Sequence, residues 1–214
     1  MPVVLRLLLA SVLTGAAVCG GVVLFADDES AREAPVGTSA PLSSLDTEGV
    51  TILRAGFCDG VADSAVTEAL QAEPDEESSY TNGDRVRLTD EVRDRAHEHG
   101  CQWSANGVTA SGWVFAPPVP RATADKLLRR ARDAKGCEPI PDAPAYGEPS
   151  LGLFCTGRLG QEVSFRGLFG DAWLVCSLRF ADVSPGQSRD EAVDRTGRWC
   201  VAVARAASGV PTSR

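Results

Sequence analysis

The seven cysteines of this chain are split by one apolar run, and that split limits how the chain can fold. Leu7 to Ala26 is twenty residues without a charge, enough to cross a bilayer core of roughly 30 Å as a helix. Cys19 lies inside the run. Cys58, Cys101, Cys137, Cys155, Cys176 and Cys200 all lie beyond it. An even set of cysteines after a membrane segment predicts an oxidising compartment and disulfide pairing among the six.

The apolar run has three readings. A cleaved signal peptide has a shorter apolar core and a small-residue cleavage site, whereas here Phe25-Ala26 precedes Asp27-Asp28 with Val23 and Leu24 upstream. Lipidation at Cys19 needs a bulky apolar residue that Ala16-Ala17-Val18 puts in the wrong place. Length favours the third reading, an uncleaved anchor. Arg6 is the only charged side chain before Asp27, so the positive-inside rule predicts a cytoplasmic tail over residues 1–6, an anchor over 7–26 and the bulk outside. Ala17 and Gly21 have the spacing of a helix-pairing motif, which in so Ala- and Gly-rich a span is weakly specific.

The full chain carries a formal charge of −8, and without Arg6 the remainder is at about −9. That excludes nucleic acid, whose binding needs basic surface to displace counterions, and disfavours anionic headgroups. Lys126 and Lys135 are the only lysines among many arginines, which with abundant Ala and Gly points to a GC-rich genome.

Residues 27–49 are polar, acidic and Pro- and Ser-containing, and read as a flexible stalk. Residues 50–207 read as one α+β domain, and 208–214 as a disordered tail. Within the domain, Val50 to Leu53 reads as a first strand and Val61 to Ala72 as a short helix. Glu73 to Asn82, with its Asp75-Glu76-Glu77 run, reads as a solvated loop. Arg85 to Leu88 reads as an edge strand, and Thr89 as the cap of a helix running to His99, with Gly100 as its stop.

Two hairpins stand out. Cys101 to Ala105 and Val108 to Phe115 flank Asn106-Gly107, a type I′ signal. Counting back from the turn sets Ala105 opposite Val108, Trp103 opposite Ala110 and Cys101 opposite Gly112. Glu162 to Phe169 and Ala172 to Phe180 flank Gly170-Asp171, which sets Phe165 opposite Cys176 and Glu162 opposite Arg179. A helix follows each. The first runs from Thr123, with Leu127, Leu128, Ala131 and Ala134 apolar, Arg129, Arg130 and Arg132 exposed, and Gly136 as its stop. The second opens at the capping box Ser188 to Glu191 and buries Ala192, Val193, Thr196, Cys200, Val203, Ala204 and Ala207. The class is an antiparallel sheet built from hairpins, with helices packed on one face. Hairpin then helix twice raises a duplication, on too few matched residues to assign one.

Geometry selects one disulfide. Cys176 on the apolar face of a strand and Cys200 on the apolar face of the next helix point into the same core. Cys58 before the first helix and Cys101 on the first hairpin are the next natural pair. Cys137 and Cys155 then close the Pro-rich connection from Glu138 to Leu153, for roughly 3 kcal/mol in the chain-entropy model.

No catalytic, cofactor-binding or metal residue is assigned. His97-Glu-His-Gly-Cys101 could offer three ligands if extended, but its two histidines suit a helix C-terminus and Cys101 is needed for a disulfide. There is no G-x-S-x-G elbow and no P-loop. Trp113 and Trp173, opposite in facing to Cys101 and Cys176, are better placed to pack under a helix than to line a ligand surface.

The anchor, the polar stalk, the Cys before a short helix, Cys101-x-Trp103 and Trp199-Cys200 resemble uncharacterised actinobacterial cell-envelope proteins that are secreted, lipidated or membrane-anchored. The resemblance implies an extracytoplasmic α+β domain and no site residues. The expected function is a non-enzymatic, membrane-anchored binding or accessory protein with an envelope protein or ligand as partner and the membrane held through Leu7 to Ala26. The alternatives are a carboxylate-dependent hydrolase of envelope material and a sensor with one labile disulfide. Peptide mapping without reduction should give Cys58–Cys101, Cys137–Cys155 and Cys176–Cys200 as the dominant linked peptides; a dominant Cys58–Cys137 peptide refutes the scheme.

Overall fold

The computed structural model describes residues 40–87, 93–181 and 188–209. The expected anchor over Leu7 to Ala26 with Cys19, most of the expected stalk, Thr89 with the residues after it up to Val92, and most of the expected C-terminal tail lie outside these residues. Among the described residues no helix is long and apolar enough to cross a membrane.

The elements are α1 (Asp63–Leu70), β1 (Glu76–Tyr80), β2 (Arg85–Arg87), β3 (Arg93–Arg95), β4 (Glu98–Ala105), β5 (Val108–Phe115), α2 (Arg121–Arg132), β6 (Cys137–Pro139), β7 (Ser150–Gly157), β8 (Gly160–Phe169), β9 (Ala172–Phe180) and α3 (Arg189–Ala207). Seven strands form one antiparallel sheet in the order β1-β4-β5-β9-β8-β7-β6, and β2 pairs with β3 separately. Both hairpins have the expected register, including Cys101 opposite Gly112 and Phe165 opposite Cys176. Asn106 and Gly107 have φ of 49° and 75°, as a type I′ turn demands.

One face of the sheet carries Cys101, Trp103, Ala110, Val114, Val163, Phe165, Leu174, Cys176 and Leu178. α3 lies on it, capped by Ser188, whose Oγ accepts the Glu191 N–H at 3.1 Å. This helix is buried nearly all round, because α1 and the 3₁₀ turns at Leu42–Ser44 and Cys58–Gly60 cover its outer side. Trp199 meets Trp103 edge-to-face at 5.6 Å and donates Nε1–H to the Ser111 carbonyl at 2.9 Å. Buried Arg195 donates to the Ala69 carbonyl in the last turn of α1, where a cation complements the helix dipole.

The expectation of helices on one face is corrected. α2 packs on the opposite face, placing Ala124 and Leu128 on Leu151, Leu153, Leu168, Trp173 and Val175. Strands β7 to β9 are apolar at successive positions, so both of their faces need cover. The two hairpin–helix units therefore send their helices to opposite sides. Ala134, expected on the apolar side of α2, lies past its end and is exposed.

Other boundaries also change. Packing begins at Leu42, which is 5 % exposed within the core, so the stalk does not extend to Gly49. Val50 to Leu53 is not a strand; Ile52 is buried and the Leu53 N–H bonds the Ala207 carbonyl. Part of the expected acidic loop is β1, an edge strand whose glutamates discourage further pairing. The expected helix up to His99 is instead strand at Arg93–Arg95 and from Glu98 onward. That stretch has no apolar stripe, and pairing of Glu98 to Gly100 with Phe115 to Trp113 outweighs its cap and stop signals. The Pro-rich connection contains β6 and the start of β7, with Pro139 on the sheet edge where no ladder donor is needed.

The two tyrosines of the chain both resist ionisation. Burial, then the charge of Glu98 and the hydrogen bond to it, raise Tyr80 well above the usual phenol value, and burial alone raises Tyr146. Raised folded values mean that the neutral phenol stabilises the fold below about pH 10 and that this stability is lost as pH climbs higher. Phenolate absorbance should therefore rise only together with alkaline unfolding followed by circular dichroism; separate ionisation near pH 10 refutes the burial of either ring. The two faces make a second test. Trp199→Ala should cost about 3–5 kcal/mol in denaturant unfolding, and Trp113→Ala, half-exposed beyond α2, clearly less.

Candidate functional site

All six cysteines chosen from sequence are brought together as expected. Cys58–Cys101, Cys137–Cys155 and Cys176–Cys200 have Cα separations of 5.7, 3.9 and 5.4 Å. The first and third lie on the α3 side, joining the outer turns and α3 to the sheet. Cys137 and Cys155 sit directly opposite each other on β6 and β7, half-buried on the α2 side. Their task is structural, since paired sulfurs offer neither thiolate nor metal ligand.

The His97 to Cys101 segment forms no metal site. Cys101 is disulfide-bonded, His97 is exposed next to β4, and His99 is half-buried with an unpartnered Nδ1. No three His, Cys, Asp or Glu side chains converge on a metal position among the described residues. The Asp75-Glu76-Glu77 run is exposed, as a solvated charge run should be. Trp173 packs beneath α2, while Trp113 meets Phe115 at 5.1 Å near its margin. Glu162 and Arg179 form the expected cross-strand ion pair at 2.9 Å.

Among the described residues two surfaces are candidates. On the α2 side, the register aligns Ser78, Gln102, Ser111, Ser177 and Ser164 across five strands as a polar row. Arg166 lies beside this row and donates to the Ser164 hydroxyl at 2.7 Å; burial lowers its pKa. Ser164 at the end of the row is fully buried.

The second surface is concave. A cleft of about 400 Å³ opens where three segments meet: Pro41 to Ser43, the loop from Ile140 to Pro144, and the first turns of α3. Each segment is held by a local cause. Leu42 can approach α3 because Gly197 faces it; a Cβ there would stand 3.1 Å from Leu42 Cβ. The Ile140 N–H bonds the Gly152 carbonyl at 3.0 Å, which fixes the start of the loop. Ser188 fixes the start of α3. Leu42, Ile140, Phe165 and Val193 supply apolar lining, and Asp142, Asp190 and Asp194 add carboxylates.

The charges around the cleft are unequally engaged. Arg189 pairs with Glu138 at 3.2 Å and stacks 4.5 Å over the Phe154 ring. Asp194 pairs with Arg198, which also reaches Glu68 at 2.6 Å. Asp142 and Asp190 are exposed and have no ion pair among the described residues. Sequence reasoning misses this site because pattern alone places Leu42 in the polar stalk and Ile140 in an irregular connection. The available signal was slight: isolated large apolar residues, Leu42 and Ile140, beside prolines.

Compared with known protein families and with curated proteins, this chain matches none.

Proposed function

We propose that this chain is a non-enzymatic extracytoplasmic binding or accessory protein of the cell envelope, of the actinobacterial kind it resembles, held to the membrane through Leu7 to Ala26. The observation that carries the reading is the apolar-lined cleft between Leu42, Ile140 and Val193. It is within the size range of small binding pockets and is shaped by three separate chain segments. The three disulfides support an oxidising compartment, because reduced thiols prevail in the cytoplasm.

The cleft favours binding over hydrolysis on electrostatic grounds. A carboxylate hydrolase needs one carboxyl kept protonated by an apolar wall, facing a second that stays ionised. Here Asp142 and Asp190 are exposed and Asp194 is tied to Arg198. Exposed or ion-paired aspartates around an apolar floor suit recognition of a partner.

The test places a photo-crosslinking residue at Ser43 beside the cleft, or at Arg132 on the exposed side of α2, in the full chain in its own membrane. A discrete adduct from position 43 and none from position 132 is expected. Equal labelling from both positions, or none from either, overturns the cleft as a binding surface.

A further inference from the structure

Resting on the cleft as a binding surface, we infer that its occupant is a cationic protein segment: a lysine or arginine flanked by aliphatic side chains. The argument begins with what each wall can satisfy. Leu42, Ile140 and Val193 offer only aliphatic surface, which favours an apolar occupant by roughly 25 cal/mol for each Å² removed from water. About 400 Å³ accommodates one or two side chains rather than a folded domain.

Charge then selects among apolar occupants. Among the described residues Arg189 is the only cation lining the cleft, and it is already engaged by Glu138 and by the Phe154 ring. An anion here would meet Asp142, Asp190 and Asp194 with no free guanidinium to receive it. A cation would find Asp142 and Asp190 without an ion pair among the described residues, and would gain without breaking one of their contacts there. The field of the whole chain has the same sign. At −8 it draws cations toward the surface and disfavours phosphate-bearing lipids or polyanions.

The geometry also gives the occupant an orientation. Asp142 takes a left-handed conformation, φ 50°, in the proline loop on one side of the cleft, while Asp190 lies in the first turn of α3 on another. Two carboxylates carried by different segments suit an extended chain that puts its cation between them and its apolar neighbours on the floor.

Binding is measured on the full chain in nanodiscs of zwitterionic phosphatidylcholine, with three fluorescently labelled hexapeptides: alternating leucine–lysine, leucine–glutamate and serine–lysine. The leucine–lysine peptide should bind saturably at one site. The double variant Asp142→Asn, Asp190→Asn should weaken it roughly five-fold or more, and Ser43→Arg, which adds a competing cation from an exposed position, should weaken it at least as much. The other two peptides should bind at least roughly ten-fold more weakly. Equal binding of serine–lysine reduces the effect to bulk charge and overturns the inference, as does equal binding of leucine–glutamate or insensitivity to the aspartate pair. If position 43 still crosslinks while no peptide binds, the cationic occupant is refuted and the cleft remains a binding surface. If both fail, both readings fall.

Discussion

One row across the sheet holds the domain together. Cys101 on β4, Gly112 on β5 and Cys176 on β9 are successive register partners, so two disulfides rise from the same line of the same face. Cys101 reaches outward to Cys58 and Cys176 reaches up to Cys200 in α3. Between them Gly112 leaves the space that α3 occupies; a Cβ there would lie 2.9 Å from Val203 Cγ1. The missing side chain lets the helix settle close enough for the Cys176–Cys200 bond and for the Trp103–Trp199 contact. Sheet, α3 and outer turns thus form three layers linked at one line.

The position of the cleft follows from that arrangement. α3 is fixed by its disulfide and by its buried middle and C-terminal turns, while its first turns extend toward the edge formed by β7 and the short β6, where Arg189 reaches Phe154 and Glu138. Leu42 and the proline loop fill in beside those turns without closing over them. Of the aspartates that result, Asp194 is paired locally with Arg198, and Asp142 and Asp190 have no ion pair among the described residues. The apolar lining is the uncovered end of the same core that the disulfides hold in place.

Legibility divided along the range of the interactions. The two hairpins were readable to the residue because a two-residue turn fixes register and alternation fixes facing. All three disulfides followed from that register together with the periodicity of α3 and from elimination. The Ser188 cap and the Glu162–Arg179 pair are likewise local consequences of pattern. The edge strand Glu76–Tyr80 was not readable: its five residues are nearly all exposed, and only the neighbouring Trp103 strand makes them β. The stretch up to the stop signal at Gly100 reads as helix, yet Arg93–Arg95 pairs with β2 and Glu98 to Gly100 with β5, because strand partners outweigh local propensity. Leu42 gave no hint that a core 155 residues away in sequence needed it at Gly197.

By itself, then, this sequence determined the cysteine pairs, the two hairpin registers, the α3 stripe and the α+β class, since each depends on spacing along the chain. Tertiary structure alone decided that α2 crosses to the second face, that the proline-rich connection pairs as β6 and β7, and that Leu42, Ile140 and Val193 share one cleft. Those outcomes depend on which apolar surfaces remain exposed once the hairpins are joined through β5 and β9. Periodicity shows that a helix or strand has an apolar side; only the assembled sheet determines which surface is free to receive it.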